Sequence, residues 1–343
     1  MSRPQTQNCR IAVLDDFEEI AASVPAYAKL KSRAEVTILR ERLDTSDKIV
    51  ETLRDFDVIL LMRERTAFSD REYAHLPKLK FISQTGRTSA HLDLPAASRR
   101  GIAVAGTASD TGTTTKELTV GLILALMRSI PQVDRRMRSE SWPAVAGKTL
   151  EGKTVGIFGF GRIGKQVARI MSAFNARVLA HSRTLTAERA AEAGAESVTL
   201  ETLLRHSDIL TIHINSNAQT RGIIGEKELD MMKRGAFLVN TARGPIVSED
   251  AMISALQDGR LGGVGLDVFD TEPLPMDHPL RRFDNAILLS HRGYATIEVL
   301  SERYEQAMTN ILDFLDGRPV KLLNPEPLKA QDPNSSSTPS STV

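Results

Sequence analysis

Short apolar runs alternate with amphipathic stretches along the first hundred residues. The runs "RIAVLDD" (10–16), "EVTIL" (35–39), "VILLMR" (58–63), "KFISQT" (80–85) and "IAVAG" (102–106) have the length and composition of strands. Between them, stretches such as "SDKIVETLRDF" place apolar residues at helical spacing. That alternation predicts parallel strands joined by crossover helices. A long helix is expected from Thr115 to Ser129, apolar on several faces and closed by Pro131. A second alternating series begins at Lys153, with strands "TVGIFG", "RVLAH", "DILTIHI", "AFLVNT", "GVGLDVF" and "AILLS". Six strands with intervening helices match a doubly wound sheet. A last helix near 296–315 is long enough to return to the first domain, so the pattern describes one α/β domain with another inserted into it.

Composition changes this picture in a few places. At 343 residues the chain exceeds what one core usually holds, as two domains require. Lys plus Arg (44) balance Asp plus Glu (43), a net charge of +1, so nucleic acid and acidic membrane surfaces are not expected partners. Cys9 is the only cysteine, which excludes intrachain disulfides and cysteine metal sites; no metal site is expected. "MSRPQTQNCR" lacks a signal-peptide core, and "LTVGLILALM" is too short to span a bilayer. The simplest reading is a cytoplasmic protein. The tail at 331–343, rich in Ser, Thr and Pro, reads as disordered.

Chemistry enters with "GFGRIG", which sets Gly159, Gly161 and Gly164 in G-x-G-x-x-G spacing. The first allows a tight turn, the second lets backbone N–H groups approach a pyrophosphate, and the third lets the helix pack on the strand. "KTVGIF" precedes as a strand and "IGKQVARIMSAF" follows as an amphipathic helix, the context in which the motif binds a dinucleotide.

"LEGKTVGIFGFGRIG", "SDILTIHI", "MMKRGAFLVNTARGPIVSEDAMISAL", "GLDVFDTEPLP" and "LLSHRGYAT" follow one another in this order. Together they resemble the D-isomer-specific 2-hydroxyacid dehydrogenase family over nearly the whole chain. The resemblance implies an α/β fold of two doubly wound parallel-sheet domains. A Rossmann dinucleotide-binding domain (107–295) would be inserted into a flavodoxin-like substrate domain (1–106 and 296–330). It implies an NAD(P)-dependent enzyme that interconverts a small 2-oxo acid and its D-2-hydroxy acid, and a homodimer. Arg243 would bind the substrate, His291 would be the acid/base, and Glu272 would support that imidazole. The cofactor would meet Gly159, Gly161, Arg162, Ile163, Gly164, Ser182, Arg183, Thr184, His213, Thr220, Thr241, Ala242, Asp267 and Gly293. The substrate would meet Arg63, Gly86, Arg87, Thr88 and Arg292.

The residue types suit that chemistry. Reducing a carbonyl develops negative charge on oxygen, which a histidine can protonate and later deprotonate. A carboxylate beside it fixes the tautomer, and a guanidinium offers a rigid donor fork. Each residue also has a plainer role: Arg243 paired with Glu249 or Asp250, Glu272 opening a turn, His291 packed at a strand end. All three fall at C-terminal strand edges, where open α/β sheets bind ligands, which favours a shared site. Ser248, Glu249 and Asp250 predict a capped helix after Arg243, with Gly259 as its end. Asp267 divides evenly between a contact to the nicotinamide carboxamide and a strand-end cap.

The departures bear on specificity. Arg292 beside His291 either anchors an anionic substrate or points to solvent. Gly86 is retained in a loop whose N–H groups would hold the substrate carboxylate, and Arg87 is a further anion contact or an outward side chain. "LMRERT" places Arg63 where phosphoglycerate dehydrogenases carry a phosphate-contacting arginine, so 3-phosphoglycerate is an alternative substrate. At the end of "RVLAH" the ribose position holds Ser182, Arg183 and Thr184 instead of an acid. This favours NADP, with NAD as the alternative. A dinucleotide-sensing, corepressor-like protein is the competing function; Glu272 argues against a formate dehydrogenase.

Overall fold

The computed structural model describes residues 9–86, 89–108, 112–139 and 142–324. Arg87, Thr88 and the tail at 331–343 lie outside the described residues. In chain order the strands are β1 (Arg10–Val13), β2 (Glu35–Ile38), β3 (Val58–Leu61), β4 (Phe81–Gln84), β5 (Ala103–Gly106), β6 (Thr154–Phe158), β7 (Arg177–His181), β8 (Glu196–Ser197), β9 (Ile209–Ile212), β10 (Ala236–Asn240), β11 (Leu261–Leu266) and β12 (Ala286–Leu288). The α-helices are α1 (Pro25–Lys31), α2 (Ser46–Leu53), α3 (Asp70–Ala74), α4 (Leu94–Arg99), α5 (Thr113–Met127), α6 (Ile130–Met137), α7 (Arg162–Ala173), α8 (Ala187–Ala191), α9 (Leu200–His206), α10 (Glu226–Met231), α11 (Glu249–Gln257) and α12 (Ile297–Leu315). Among the described residues, no helix is long and apolar enough to cross a membrane.

The chain divides into two units, Met1–Asp110 with Thr296–Val343, and Thr111–Ala295. In the first, a parallel sheet runs in the order β2-β1-β3-β4-β5. Every residue of β3 and β4 is buried, because helices cover both faces, and the strands therefore read as unbroken apolar runs rather than alternating ones. α12 lays Leu300, Tyr304, Ala307, Met308 and Ile311 into this core. Ser83 on β4 donates to the Ala307 carbonyl at 2.8 Å, and Phe81 stacks on Phe314 with centroids 4.3 Å apart.

In the second unit a parallel seven-stranded sheet runs β12-β11-β10-β9-β6-β7-β8. The winding reverses at β6, which lies between β9 and β7. The seventh strand, β8, is two residues long and carries no apolar run by which the sequence could announce it. Pro131 also differs from expectation. It stands in the first turn of α6, where a missing N–H costs nothing, so it opens a second helix instead of closing the first. The break falls at Ser129, whose φ is 51°.

Candidate active site

The dinucleotide side of the site begins where the seven-stranded sheet reverses. After β6 the chain turns at Gly159, φ 105°, against the backbone of His213. A side chain at Gly159 would strike that backbone, and one at Gly164 would strike the Gly159 carbonyl. Gly161 is different: it is the N-cap of α7, supplies no side-chain cap, and a Cβ there would meet nothing within 4 Å. The first-turn N–H groups, beginning at Arg162 and Ile163, have no side-chain cap from Gly161 and lie at the positive end of the helix dipole. That is the donor set a diphosphate requires, so the residues present fit the cofactor.

At the end of β7, Ser182 is half-buried while Arg183 and Thr184 are exposed. Arg189 of α8 donates to the Thr184 carbonyl at 3.3 Å, which adds a second guanidinium to this corner. His213, beyond β9, sits 3.0 Å from Thr211 Oγ1 through Nε2. Burial pushes its imidazole down to about 4, so it is neutral at pH 7. Thr220 closes a local turn, donating to the Asn215 carbonyl at 2.7 Å. Thr241 bonds Thr119 of α5 at 2.9 Å through the hydroxyls.

The catalytic candidates are set by the ends of β10, β11 and β12. The buried Asn240 side chain donates to the Arg243 carbonyl (2.9 Å) and accepts from the Ala242 N–H (3.0 Å), shaping the turn that carries Arg243. Gly244 is pressed against the Phe269–Asp270 backbone with no room for a Cβ, so this turn is seated on the segment leading to Glu272. Arg243 is exposed and donates to the Ala242 carbonyl at 2.6 Å. Glu249, which sequence reasoning offered as its partner, instead bonds His278.

Glu272 accepts the Phe269 N–H at 3.0 Å, and its other oxygen lies 2.7 Å from His291 Nδ1. Burial pushes the Glu272 carboxyl up, but its bond to His291, the charge of that imidazole, the Phe269 N–H and the Arg243 charge together hold it below the usual range. An ionised carboxylate can only accept, so the proton of the neutral ring stands on Nδ1 and Nε2 is left for a substrate. His291 holds φ 56°, a left-handed backbone that few non-glycine residues adopt. Asp267 clamps the next turn: Oδ1 accepts the Arg292 N–H (2.5 Å) and Oδ2 the Gly293 N–H (2.8 Å). Burial raises the Asp267 carboxyl against those two bonds. Asp267 therefore caps the turn that follows His291. Thr115 adds a bond to the Gly293 carbonyl at 3.0 Å. Arg243, Glu272 and His291 are thus brought together in one unit.

In the other unit, Arg63 follows β3 at φ 57° and lays Nη1 2.8 Å from the point where Gly86 would carry a Cβ. The Gly86 N–H donates to Thr107 Oγ1 at 2.7 Å, which fixes the start of this loop against the end of β5. Arg303 of α12, only 5% exposed, brings Nη1 within 3.8 Å of the same point. Sequence reasoning passed over Arg303; the signal was a cation among the buried helical positions Leu300, Tyr304 and Ala307. It also passed over Asn240, Thr115 and Thr119, whose polar side chains matter through bonds to other segments.

The model of the D-isomer specific 2-hydroxyacid dehydrogenase NAD binding domain matches residues 120–293. The chain is 37% identical over 320 residues to a glyoxylate reductase of Thermofilum pendens, covering 90% of this chain and 93% of that protein. It is 35% identical over 257 residues to a D-3-phosphoglycerate dehydrogenase of Methanocaldococcus jannaschii, 74% of this chain and 49% of that one. Among solved structures, a phosphoglycerate oxidoreductase from Vibrio cholerae superposes with a TM-score of 0.84 at 30% identity, covering 90% of this chain and 99% of that one. A glyoxylate reductase from Paecilomyes thermophila gives 0.69 at 30% identity, covering 92% and 98%.

Proposed function

The chain belongs to the D-isomer-specific 2-hydroxyacid dehydrogenase family, and from that premise we propose that it interconverts a small 2-oxo acid of the glyoxylate or hydroxypyruvate type and its D-2-hydroxy acid. Membership makes it a nicotinamide-dinucleotide-dependent 2-hydroxyacid oxidoreductase. The observation that carries the finer reading is the 2.7 Å contact between His291 Nδ1 and Glu272, with the Arg243 charge acting on the same carboxylate.

A bound nicotinamide dinucleotide would supply the hydride for C2 of the 2-oxo acid, or take it up from the 2-hydroxy acid. Gly159, Gly161 and Gly164 would hold its diphosphate at the start of α7. Arg243 binds the substrate through carboxylate and carbonyl oxygen and stabilises negative charge as it develops there. The doubly protonated His291 gives its Nε2 proton to that oxygen in reduction, and the neutral ring takes it back in oxidation. Glu272 accepts from Nδ1 throughout, which keeps Nε2 turned to the substrate and steadies the charged ring. Arg63 and Gly86 are proposed substrate contacts on the family resemblance.

Ser182, Arg183 and Thr184 support a preference for NADP, since an acid there would repel a 2′-phosphate and a guanidinium attracts it. The α6 face carrying Ile130 and Met137, 54% and 45% exposed, supports a homodimer.

The test is the loss of absorbance at 340 nm with NADPH or NADH against glyoxylate, hydroxypyruvate and the phosphorylated analogue of the latter. Turnover of a 2-oxo acid is expected. Tight dinucleotide binding without any turnover would give the protein a sensing role instead.

A further inference from the structure

The inserted unit holds a second histidine–carboxylate pair. His278 Nε2 lies 2.8 Å from Glu249 Oε1, with the side chains 14% and 23% exposed. His278 Nδ1 accepts the Leu280 N–H at 3.3 Å, so that nitrogen carries no proton and Nε2–H is the donor to Glu249. The two ends of this bond stand at matching places on the two segments that carry the candidate catalytic groups. Glu249 follows Arg243 by six residues, and His278 follows Glu272 by six.

Both segments are also tied by local contacts. Ser248 caps α11, accepting from the Ala251 N–H, and Gly244 is seated against the Phe269–Asp270 backbone. On the other side, Arg281 donates to the carbonyls of Leu274 (2.7 Å) and Pro275 (2.8 Å). The His278–Glu249 bond adds a direct tie between the two segments to these local ones. Glu249 also faces Asp270, two residues before Glu272, and Asp250 lies beside it. Burial and then the charge of Glu249 push the Asp270 carboxyl up, with Arg221 drawing it down and Asp250 adding to the rise, so that the net direction is upward.

We infer that the bond from His278 to Glu249 is a positioning link that fixes the Glu272 segment against the Arg243 turn and so sets the geometry in which Glu272 holds His291. The link rests on the catalytic roles proposed for Arg243, Glu272 and His291. Cutting it leaves the Glu249 carboxylate opposite Asp270 without its donor, and the repulsion bears on the backbone next to Glu272.

Two substitutions at one position separate this link from ordinary packing. In His278→Asn, the short amide reproduces the Nδ1 acceptor for the Leu280 N–H but cannot reach Glu249. In His278→Gln, the longer amide reproduces the Nε2 donor and gives up the cap. The Asn variant should lose roughly tenfold or more in kcat, since misplacement by about an ångström costs up to ~100-fold. Its dinucleotide affinity, read by fluorescence titration, should stay within about twofold, because the diphosphate donors lie on α7. The Gln variant should keep kcat close to wild type. Adding Glu249→Gln to the Asn variant should restore part of the loss by removing the unpaired charge. An intact Asn variant beside an impaired Gln variant makes His278 a cap only and overturns the inference, as do equal rates in the two. His291→Ala is measured alongside. If it turns over at the wild-type rate, the catalytic reading itself has failed; if it is inactive while the Asn variant is intact, only the link is lost.

Discussion

His291 combines a costly backbone with a favourable side-chain bond. Its left-handed φ of 56° is held by the two N–H groups that Asp267 captures just after it, and its ring is held by Glu272. Strain of this kind costs about 1–3 kcal/mol and persists only where neighbours over-determine it. His291→Ala should lower turnover by about 10²–10⁴-fold, the usual scale for a positioned acid/base, while dinucleotide binding stays nearly intact. Arg243→Ala should lose a comparable factor; wild-type rates in either variant would refute the assignment. Glu272 supplies a pH test. Its folded pKa lies below that of the unfolded chain, where a glutamate titrates near ~4.3. Its contribution to stability is therefore complete above that value and is lost as pH falls through the lowered folded one. Urea unfolding followed from about pH 6 to 3 should show a shallower acid-side loss in Glu272→Gln than in the wild type. An unchanged slope would mean that the carboxylate gains nothing from His291.

The start of α7 separates two kinds of glycine requirement. Gly161→Ala should leave the thermal midpoint nearly unchanged, since a Cβ there meets nothing, yet weaken dinucleotide binding where the diphosphate must come close. Gly164→Ala should destabilise the apo fold by about 1–3 kcal/mol, as overpacking does, because the added carbon meets the Gly159 carbonyl. At the end of β7, Ser182→Asp with Arg183→Ala should move the NADPH/NADH ratio of kcat/KM towards NADH; an unchanged ratio removes these residues from cofactor choice. Elements of this kind were legible in the sequence because one residue type in one place carried the message. The strand before "GFGRIG", the helix after it and the capped helix after Arg243 are of that sort. β8 was not legible, because two residues hold no periodicity. Pro131 was misjudged because a proline is compatible with either end of a helix, and only the turn at Ser129 decides which. The partner of the Gly86 N–H was not legible for another reason: Thr107 Oγ1 comes from beyond the far end of β5. The bond between His278 and Glu249 was invisible for the same reason, since neither residue is unusual where it stands.

At the scale of the molecule, α6 presents an apolar edge that its own unit leaves uncovered: none of its residues is buried, and Trp142 beyond it is 84% exposed. A homodimer should appear by light scattering, and Ile130→Glu with Met137→Glu should reduce it to monomers while the far-UV spectrum stays unchanged. A wild-type monomer at micromolar concentration would end that proposal. The nested chain order has a further consequence, and it concerns time. The five-stranded sheet is complete once Gly106 has been made, but α12, which buries Tyr304, Met308 and Ile311 against it, begins only at Ile297. At about 5–20 residues per second, a ribosome leaves that face of the sheet bare for roughly 10–40 s while the whole inserted unit emerges and folds. The first unit to start is therefore the last to finish. Chaperone demand during synthesis should fall on the nascent chain between those two points, and a stall within the insertion should yield aggregation through the unfinished sheet.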